Sequence, residues 1–106
     1  MEEYLQIYTT SDKIEVAETI SERLINERLA ACVQVLGPIK SIYWWQGKIE
    51  TSNEWICIIK SKKGLYKQIE DTIKSLHHYD VPEIIAVPIV MGSEDYLKWV
   101  RHETRP

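Results

Sequence analysis

Side chains that could bind a soft or borderline metal ion are few in this sequence and widely spaced. Thiolate and imidazole suit copper and zinc, and the chain has two cysteines and three histidines. Structural zinc sites use closely spaced ligand pairs, and no Cys-x-x-Cys pair is present. Cys57 lies between two isoleucines, which is typical of a packed thiol. Cys32 also lies in an apolar run, where it serves either as a core residue or as a metal ligand.

The corner after the second predicted helix collects several groups that can do chemistry. His77, His78, Tyr79 and then Glu83 bring imidazole, phenol and carboxylate into one short segment. Function often lies at such corners, and histidine is the commonest metal ligand. A histidine that only stabilises a helix C-terminus explains the pattern equally well. Neighbours on a helix diverge by about 100°, so the two histidines share one metal only if the helix end frays.

No motif in the chain points to an enzyme. With only four glycines, there is no Gly-x-Ser-x-Gly, no phosphate loop and no Gly-x-Gly-x-x-Gly. Lys60 closes an apolar strand, where its ammonium either extends to solvent or pairs with Glu83. Catalysis and a required cofactor therefore have no obvious place in this sequence, and a divalent metal such as copper or zinc could be bound only by the scattered thiols and imidazoles named above.

Composition predicts one globular domain covering residues 1–106. The apolar fraction is 44% and the charged fraction 27%, with 13 basic against 16 acidic residues and a net charge of −3. A net negative charge argues against nucleic acid as a partner. The acidic start of the chain carries no basic and apolar leader, and no apolar run is long enough to span a membrane. These features predict a cytoplasmic protein with no membrane partner and with reduced thiols.

The elements that must position these residues follow from hydrophobic periodicity and turn signals. Strands are predicted at 4–10, 30–45, 48–60 and 83–91, and helices at 12–28, 63–78 and after Ser93. Asp12 and Glu15 form a weak capping box for the first helix. This order predicts an α+β fold: a ferredoxin-like βαββαβ antiparallel sheet with an extra C-terminal helix. A partly parallel α/β sheet is the alternative.

The second and third strands form an unusually long hairpin around a Gln46-Gly47 turn. Arms of roughly fourteen residues reach about 45 Å, whereas a globule of this size is about 35 Å across. Ile42 and Trp44 point to one face of the ribbon, and Tyr43 and Trp45 point to the other, so neither face is polar. Such surfaces are typical of interfaces, so we expect self-association through the hairpin. The alternative is a hairpin that folds back at Gly37-Pro38.

Taken together, these residues resemble the CutA divalent-cation tolerance family in order and spacing, over nearly the whole chain. The resemblance rests on Leu29-Ala30-Ala31-Cys32-Val33, Ser41-Ile42-Tyr43-Trp44-Trp45-Gln46-Gly47-Lys48-Ile49, Glu54, Lys60, His77, Tyr79, Pro82-Glu83-Ile84 and Tyr96-Leu97-x-Trp99. It implies a ferredoxin-like fold, a homotrimer with strands that extend to neighbouring subunits, and tolerance to copper and other divalent metals.

The resemblance also implies where a ligand would bind. Cys32, His77 and Glu83 match positions of the family's metal or ligand site. The positions of Trp45, Lys60 and Tyr79 are implied as neighbours of that site. Two departures are visible: the family's common His-Pro-Tyr is His-His-Tyr here, which adds the imidazole of His78, and a first-strand cysteine of some members is replaced near Tyr8. The second departure argues against a copper site that depends on that thiol.

Two further classes of function remain open beside metal binding. One is a regulatory or scaffolding trimer that binds a small ligand between subunits, since P-II signalling proteins resemble this family in fold and trimeric state. The other is an enzyme with its site at a subunit junction, to which no motif in the sequence points.

Overall fold

The computed structural model describes residues 2–106 and contains a four-stranded antiparallel sheet with helices packed against it. The elements are β1 (Tyr4–Ser11), α1 (Ile14–Asn26), β2 (Cys32–Trp45), β3 (Lys48–Lys62), a 3-10 turn (Lys63–Leu65), α2 (Tyr66–Leu76), β4 (Ile84–Pro88) and α3 (Glu94–Glu103). The strand order is β2-β3-β1-β4. The predicted ferredoxin-like fold with an added C-terminal helix is confirmed. No helix in this part of the chain has the length and apolar character needed to cross a membrane.

The core lies between the sheet and the apolar faces of α1 and α2. Ile20 and Leu24 of α1 and Ile69 of α2 are fully buried, together with Ile7 and Ile59 of the two central strands. Burying each such side chain stabilises the fold by about 1.5–3 kcal/mol. On the other face of the sheet, Lys62 of β3 contacts the segment that follows α3, whereas side chains of the hairpin and of β4 are exposed.

Three predicted boundaries were wrong. Helix α1 begins at Ile14 with Lys13 as N-cap residue and no side-chain cap, because Asp12 bonds to His78 instead. Helix α2 ends at Leu76, since His77 has extended backbone with ψ 142°. Strand β4 ends at Pro88 rather than Met91, because proline has no N–H to continue a ladder. As predicted, Pro88 lies on an edge strand.

The hairpin of β2 and β3 is the longest feature of the molecule. The two strands hold 14 and 15 residues, and the chain measures 44 × 25 × 21 Å along its principal axes. Gln46 and Gly47 both have positive φ, at 50° and 79°, which suits the tight turn predicted there. The register shifts between Leu36 and Ile39, around Gly37-Pro38, so the chain bends there without folding back.

Helix α3 is capped as predicted and is followed by a short segment that returns to the body of the protein. Ser93 Oγ accepts a hydrogen bond from the Tyr96 N–H at 3.1 Å. Beyond the helix, Lys62 Nζ donates to the Arg105 carbonyl at 2.6 Å, and the Arg105 N–H donates to the Arg28 carbonyl at 2.9 Å. These bonds fix α3 against β3 and the end of α1.

Candidate functional site

A cavity of about 720 Å³ lies between the hairpin and the loop that follows α2. Residues 41–45 and Glu54 form the hairpin side of the cavity, residues 79–81 and Glu83 form the loop side, and Thr10 of β1 lies between them. Tyr43, Trp44 and Trp45, which the sequence placed in a pocket or interface, line this cavity together with Tyr79.

Tyr79 joins three parts of the chain at one side of the cavity. Its hydroxyl donates to Glu54 Oε2 at 2.8 Å and accepts a hydrogen bond from the Asp12 N–H at 2.9 Å. Burial, and then the Glu54 carboxylate, raise the pKa of Tyr79 well above its usual range. The phenol is therefore a permanent hydrogen-bond donor that orients Glu54.

The charged residues that line the cavity all carry carboxylates. Glu54 is only 5% exposed, and Asp80 and Glu83 lie on the loop that faces it. Burial first, and then the charge of Glu54, raise the pKa of the Glu83 carboxyl. Among residues 2–106, none of the three carboxylates lies in an ion pair. The cavity therefore presents negative charge without a cation from its own chain.

His77 has both ring nitrogens engaged. Nε2 lies 2.6 Å from the Thr10 carbonyl, to which it donates, and Nδ1 accepts a hydrogen bond from the Tyr79 N–H at 3.1 Å. These partners hold the ring in its neutral Nε2–H tautomer, and burial lowers the pKa of His77. A metal ion would have to displace one of the two bonds, so in this conformation His77 is a structural residue of the corner.

His78 lies beside His77 because the helix has already ended. The two rings stack with centroids 5.2 Å apart, which is the arrangement expected only for a frayed helix end. His78 Nε2 is 2.8 Å from Asp12 Oδ1. The second imidazole therefore ties the corner to the loop before α1.

Within a single chain, Cys32 lies far from His77 and His78. Cys32 is opposite Lys60 on β3, whereas Thr10, the partner of His77, is opposite Ile56. Four residues along a strand span about 13 Å. In the described part of the chain, no group of three or more His, Cys, Asp and Glu side chains could hold a metal ion.

The remaining candidates also have defined surroundings. Lys60 does not pair with Glu83; its ammonium donates to the side-chain oxygen of Gln34. Cys57 is 1% exposed and its pKa is raised by burial, as expected of a packed thiol. The cysteines are both free.

Sequence reasoning missed Thr10, Asp12 and Asp80 as parts of this site. Thr10 acts through its backbone carbonyl, which leaves no mark in residue type, whereas Asp12 acts through both its backbone N–H and its carboxylate. Glu54 entered only through the resemblance, yet a charged residue immediately before the apolar run 55–59 was a signal of a buried carboxylate.

Comparison with known proteins decides the family. A sequence profile described as CutA1 divalent ion tolerance protein matches residues 5–103. The chain belongs to this CutA1 family. It is 42% identical over 94 residues to the "Divalent-cation tolerance protein CutA" of Archaeoglobus fulgidus, covering 89% of this chain and 91% of that protein. It is 40% identical over 99 residues to "Protein CutA 1, chloroplastic" of rice, covering 93% of this chain but only 56% of that longer protein.

A solved CutA1 structure agrees with the fold described above. The crystal structure of CutA1 from Oryza sativa superimposes with a TM-score of 0.94 at 39% sequence identity, covering 97% of this chain and 94% of that one. The chain therefore shares the CutA1 fold.

Proposed function

We propose that this chain acts in divalent-cation tolerance as a homotrimer that binds divalent ions, copper or zinc, without catalysing a reaction. Membership of the CutA1 divalent ion tolerance family is the observation that carries the proposal. The carboxylates of Glu54 and Glu83 at one cavity give it a local basis, because neither is paired with a cation among residues 2–106.

The metal affinity expected of such a site is modest. A single chain offers no three-ligand group in its described part, and tight sites for copper or zinc need at least three ordered protein ligands. Glu83 is the ligand best placed in this conformation. Cys32, His77 and His78 join it only if a neighbouring subunit approaches or the corner rearranges.

Assembly is supported by the surface of the hairpin. Trp44 is 72% exposed and Ile42 65% exposed, and exposed apolar ribbons of this kind mark interaction sites. Strands β2 and β4 are both open sheet edges, which can pair with strands of another copy. The free thiols of Cys32 and Cys57 support a reducing compartment, the cytoplasm, as the place of action.

Calorimetry with copper and zinc salts on the purified protein tests the metal proposal. We expect saturable binding that weakens by about ten-fold in Glu83→Gln, because a carboxylate ligand is lost. Cys32→Ser, His77→Ala and His78→Ala test the other candidates. Lys74→Ala, on the outer face of α2, is a matched control outside the cavity. Absence of binding to the parent protein, or parental affinity in all four ligand variants, contradicts the proposal.

A second candidate function is a P-II-like regulatory or scaffolding trimer that binds a small ligand between subunits. The cavity volume of about 720 Å³ favours it, because small-molecule sites usually enclose about 300–1,000 Å³. Calorimetry with a panel of nucleotides and small metabolites separates this function from metal binding. Saturable binding of an organic ligand in the presence of a chelator supports the regulatory function, and its absence across the panel contradicts it.

A further inference from the structure

The charged side chains that line the cavity are all negative. Glu54, Asp80 and Glu83 line it, and no lysine, arginine or histidine is among its lining residues. Glu54 is 5% exposed, and among residues 2–106 its carboxylate accepts one hydrogen bond, from the Tyr79 hydroxyl. A buried carboxylate without a counter-charge is costly. A ligand that brings positive charge would remove this cost.

The walls of the cavity are aromatic. Tyr43 and Trp45 lie on the hairpin side, on the face of the ribbon that also carries Glu54, and Tyr79 lies on the loop side. Aromatic faces attract cations by about 0.5–2 kcal/mol each, and indole is the strongest of them. The same rings also cover the carbon atoms of an organic ligand, which a bare metal ion does not possess. Carboxylates and aromatic rings together therefore favour an organic cation.

A bare metal ion fits the cavity less well than an organic cation does. Divalent metals need several ligands at about 2.0–2.6 Å, whereas no ligand group of three or more is present in residues 2–106. An ammonium group is satisfied by hydrogen bonds to two or three separate oxygens at ordinary distances. The volume of about 720 Å³ also leaves room for a carbon chain attached to the charged group.

We propose that this cavity binds a small organic ammonium ion, with the charged group between Glu54 and Glu83 and the carbon chain against Trp45. The proposal rests on the second function above, ligand binding by the cavity, and names the chemical class of the ligand. A primary amine with a short carbon chain is the simplest ligand of this class.

Calorimetry with 1,4-diaminobutane and with butane-1,4-diol, its neutral isostere, tests the proposal in chelated buffer. We expect the diamine to bind at least about ten-fold more tightly than the diol, because only the diamine forms charge-assisted hydrogen bonds. The indole N–H resonance of Trp45 should shift on binding, whereas that of Trp99 on α3 should not.

Glu83→Gln is the main variant, since Glu83 lies at the exposed rim and its replacement does not disturb the core. It should weaken diamine binding by about ten-fold, and Glu54→Gln should do the same if its melting curve matches the parent. Glu50→Gln is the matched control, because Glu50 lies on the same strand outside the cavity. It should bind within about two-fold of the parent, since Glu50 lies opposite Tyr43 but is not itself among the lining residues.

The outcomes separate this inference from the function on which it rests. Equal affinity for diol and diamine, or equal weakening by Glu50→Gln and Glu83→Gln, overturns the ammonium class while ligand binding by the cavity stands. Binding of neither probe, with no shift of the Trp45 signal, overturns the ammonium class, and the absence of binding across the nucleotide and metabolite panel as well overturns both.

Discussion

At the scale of single residues, the site depends on one hydroxyl and one imidazole that hold distant backbone segments together. The hydroxyl of Tyr79 contacts both Glu54 and the Asp12 N–H, and the ring of His77 contacts the Thr10 carbonyl. Both residues follow α2, so together they tie the loop after α2 to the end of β1. The position of the cavity wall therefore depends on these few polar bonds.

Tyr79→Phe should lower the free energy of unfolding by about 1–2 kcal/mol, because the Asp12 N–H and Glu54 each lose a hydrogen-bond partner. Urea denaturation at one fixed protein concentration measures this change. Tyr43→Phe is the control, since the Tyr43 hydroxyl has only an exposed contact with Ser52 at 3.3 Å. An equal effect of both substitutions would show that the Tyr79 hydroxyl has no special structural role.

His77 should make the protein less stable in mild acid. Burial lowers its pKa in the folded state, so the unfolded chain takes up the proton first, at a pKa near 6.5. Stability is therefore full above that pH, and falls as pH decreases from about 6.5 toward the lower folded pKa.

Thermal melts between pH 8 and 5 measure this effect. His77→Gln should flatten the decline, because the group that titrates differently in the two states is gone. His78→Gln serves as the control. If the parent and His77→Gln lose stability in parallel, protonation of His77 is not the cause.

The residue types in the sequence predicted part of this site, and the rest depends on contacts that only the folded structure shows. The corner of His77, Tyr79 and Glu83 was visible because polar and aromatic groups cluster in one short segment. Thr10 was not, because its contribution is a carbonyl that every residue has. The distance between Cys32 and His77 was also hidden, since it depends on the register of β2 and β1 against β3.

At the scale of elements, the hairpin and the corner after α2 make the cavity. The hairpin could be predicted because its length, its turn residues and its aromatic tip are local features. The start of α1 and the end of α2 could not be predicted. Asp12 bonds to His78 and does not cap α1, and His77 bonds to Thr10 and does not continue α2. Tertiary hydrogen bonds outweigh local helix propensity at these two positions.

The register shift in β2, between Leu36 and Ile39, can be tested by substitution of Gly37. A Cβ at Gly37 would lie 2.6 Å from Trp55 Cδ1 and 2.9 Å from the Glu54 carbonyl. Gly37→Ala should therefore destabilise the protein by about 1–3 kcal/mol through overpacking and shift the backbone of Glu54. Chemical denaturation measures the loss of stability, and near-ultraviolet circular dichroism, to which Trp55 contributes, reports the change around Glu54.

Gly64→Ala is the matched control for this substitution. A Cβ there meets nothing within 4 Å, so we expect no loss of stability and a gain of up to about 1 kcal/mol from reduced freedom of the unfolded chain. Similar destabilisation by both substitutions would mean that the loss of glycine itself, rather than the contact with Trp55, is responsible.

At the scale of the whole molecule, the chain is elongated and has apolar surface at one end. Its long axis of 44 Å follows the hairpin, and Trp44 and Ile42 near the tip are exposed. The sheet is covered by α1 and α2 on one face only. The single chain therefore has the shape expected of one part of an assembly.

Replacing Trp44 and Trp45 together by serine should weaken self-association, because a large aromatic buried at an interface centre contributes about 2 kcal/mol or more. Multi-angle light scattering over a dilution series measures the mass of the particle. Ile25→Ser, at an exposed apolar position of α1, is the control and should leave that mass unchanged. A particle mass of the double variant equal to that of the parent at every dilution would show that the hairpin tip does not hold copies of the chain together.

The open edges of the sheet also affect how the protein must be produced. Strands β2 and β4 are unpaired on their outer sides, and β2 carries apolar side chains on both faces near its end. A newly folded chain therefore faces a kinetic competition between correct docking and indiscriminate strand pairing that leads to aggregates. Lys40 and Lys48 lie on the hairpin arms, and we expect their charges to slow the second route.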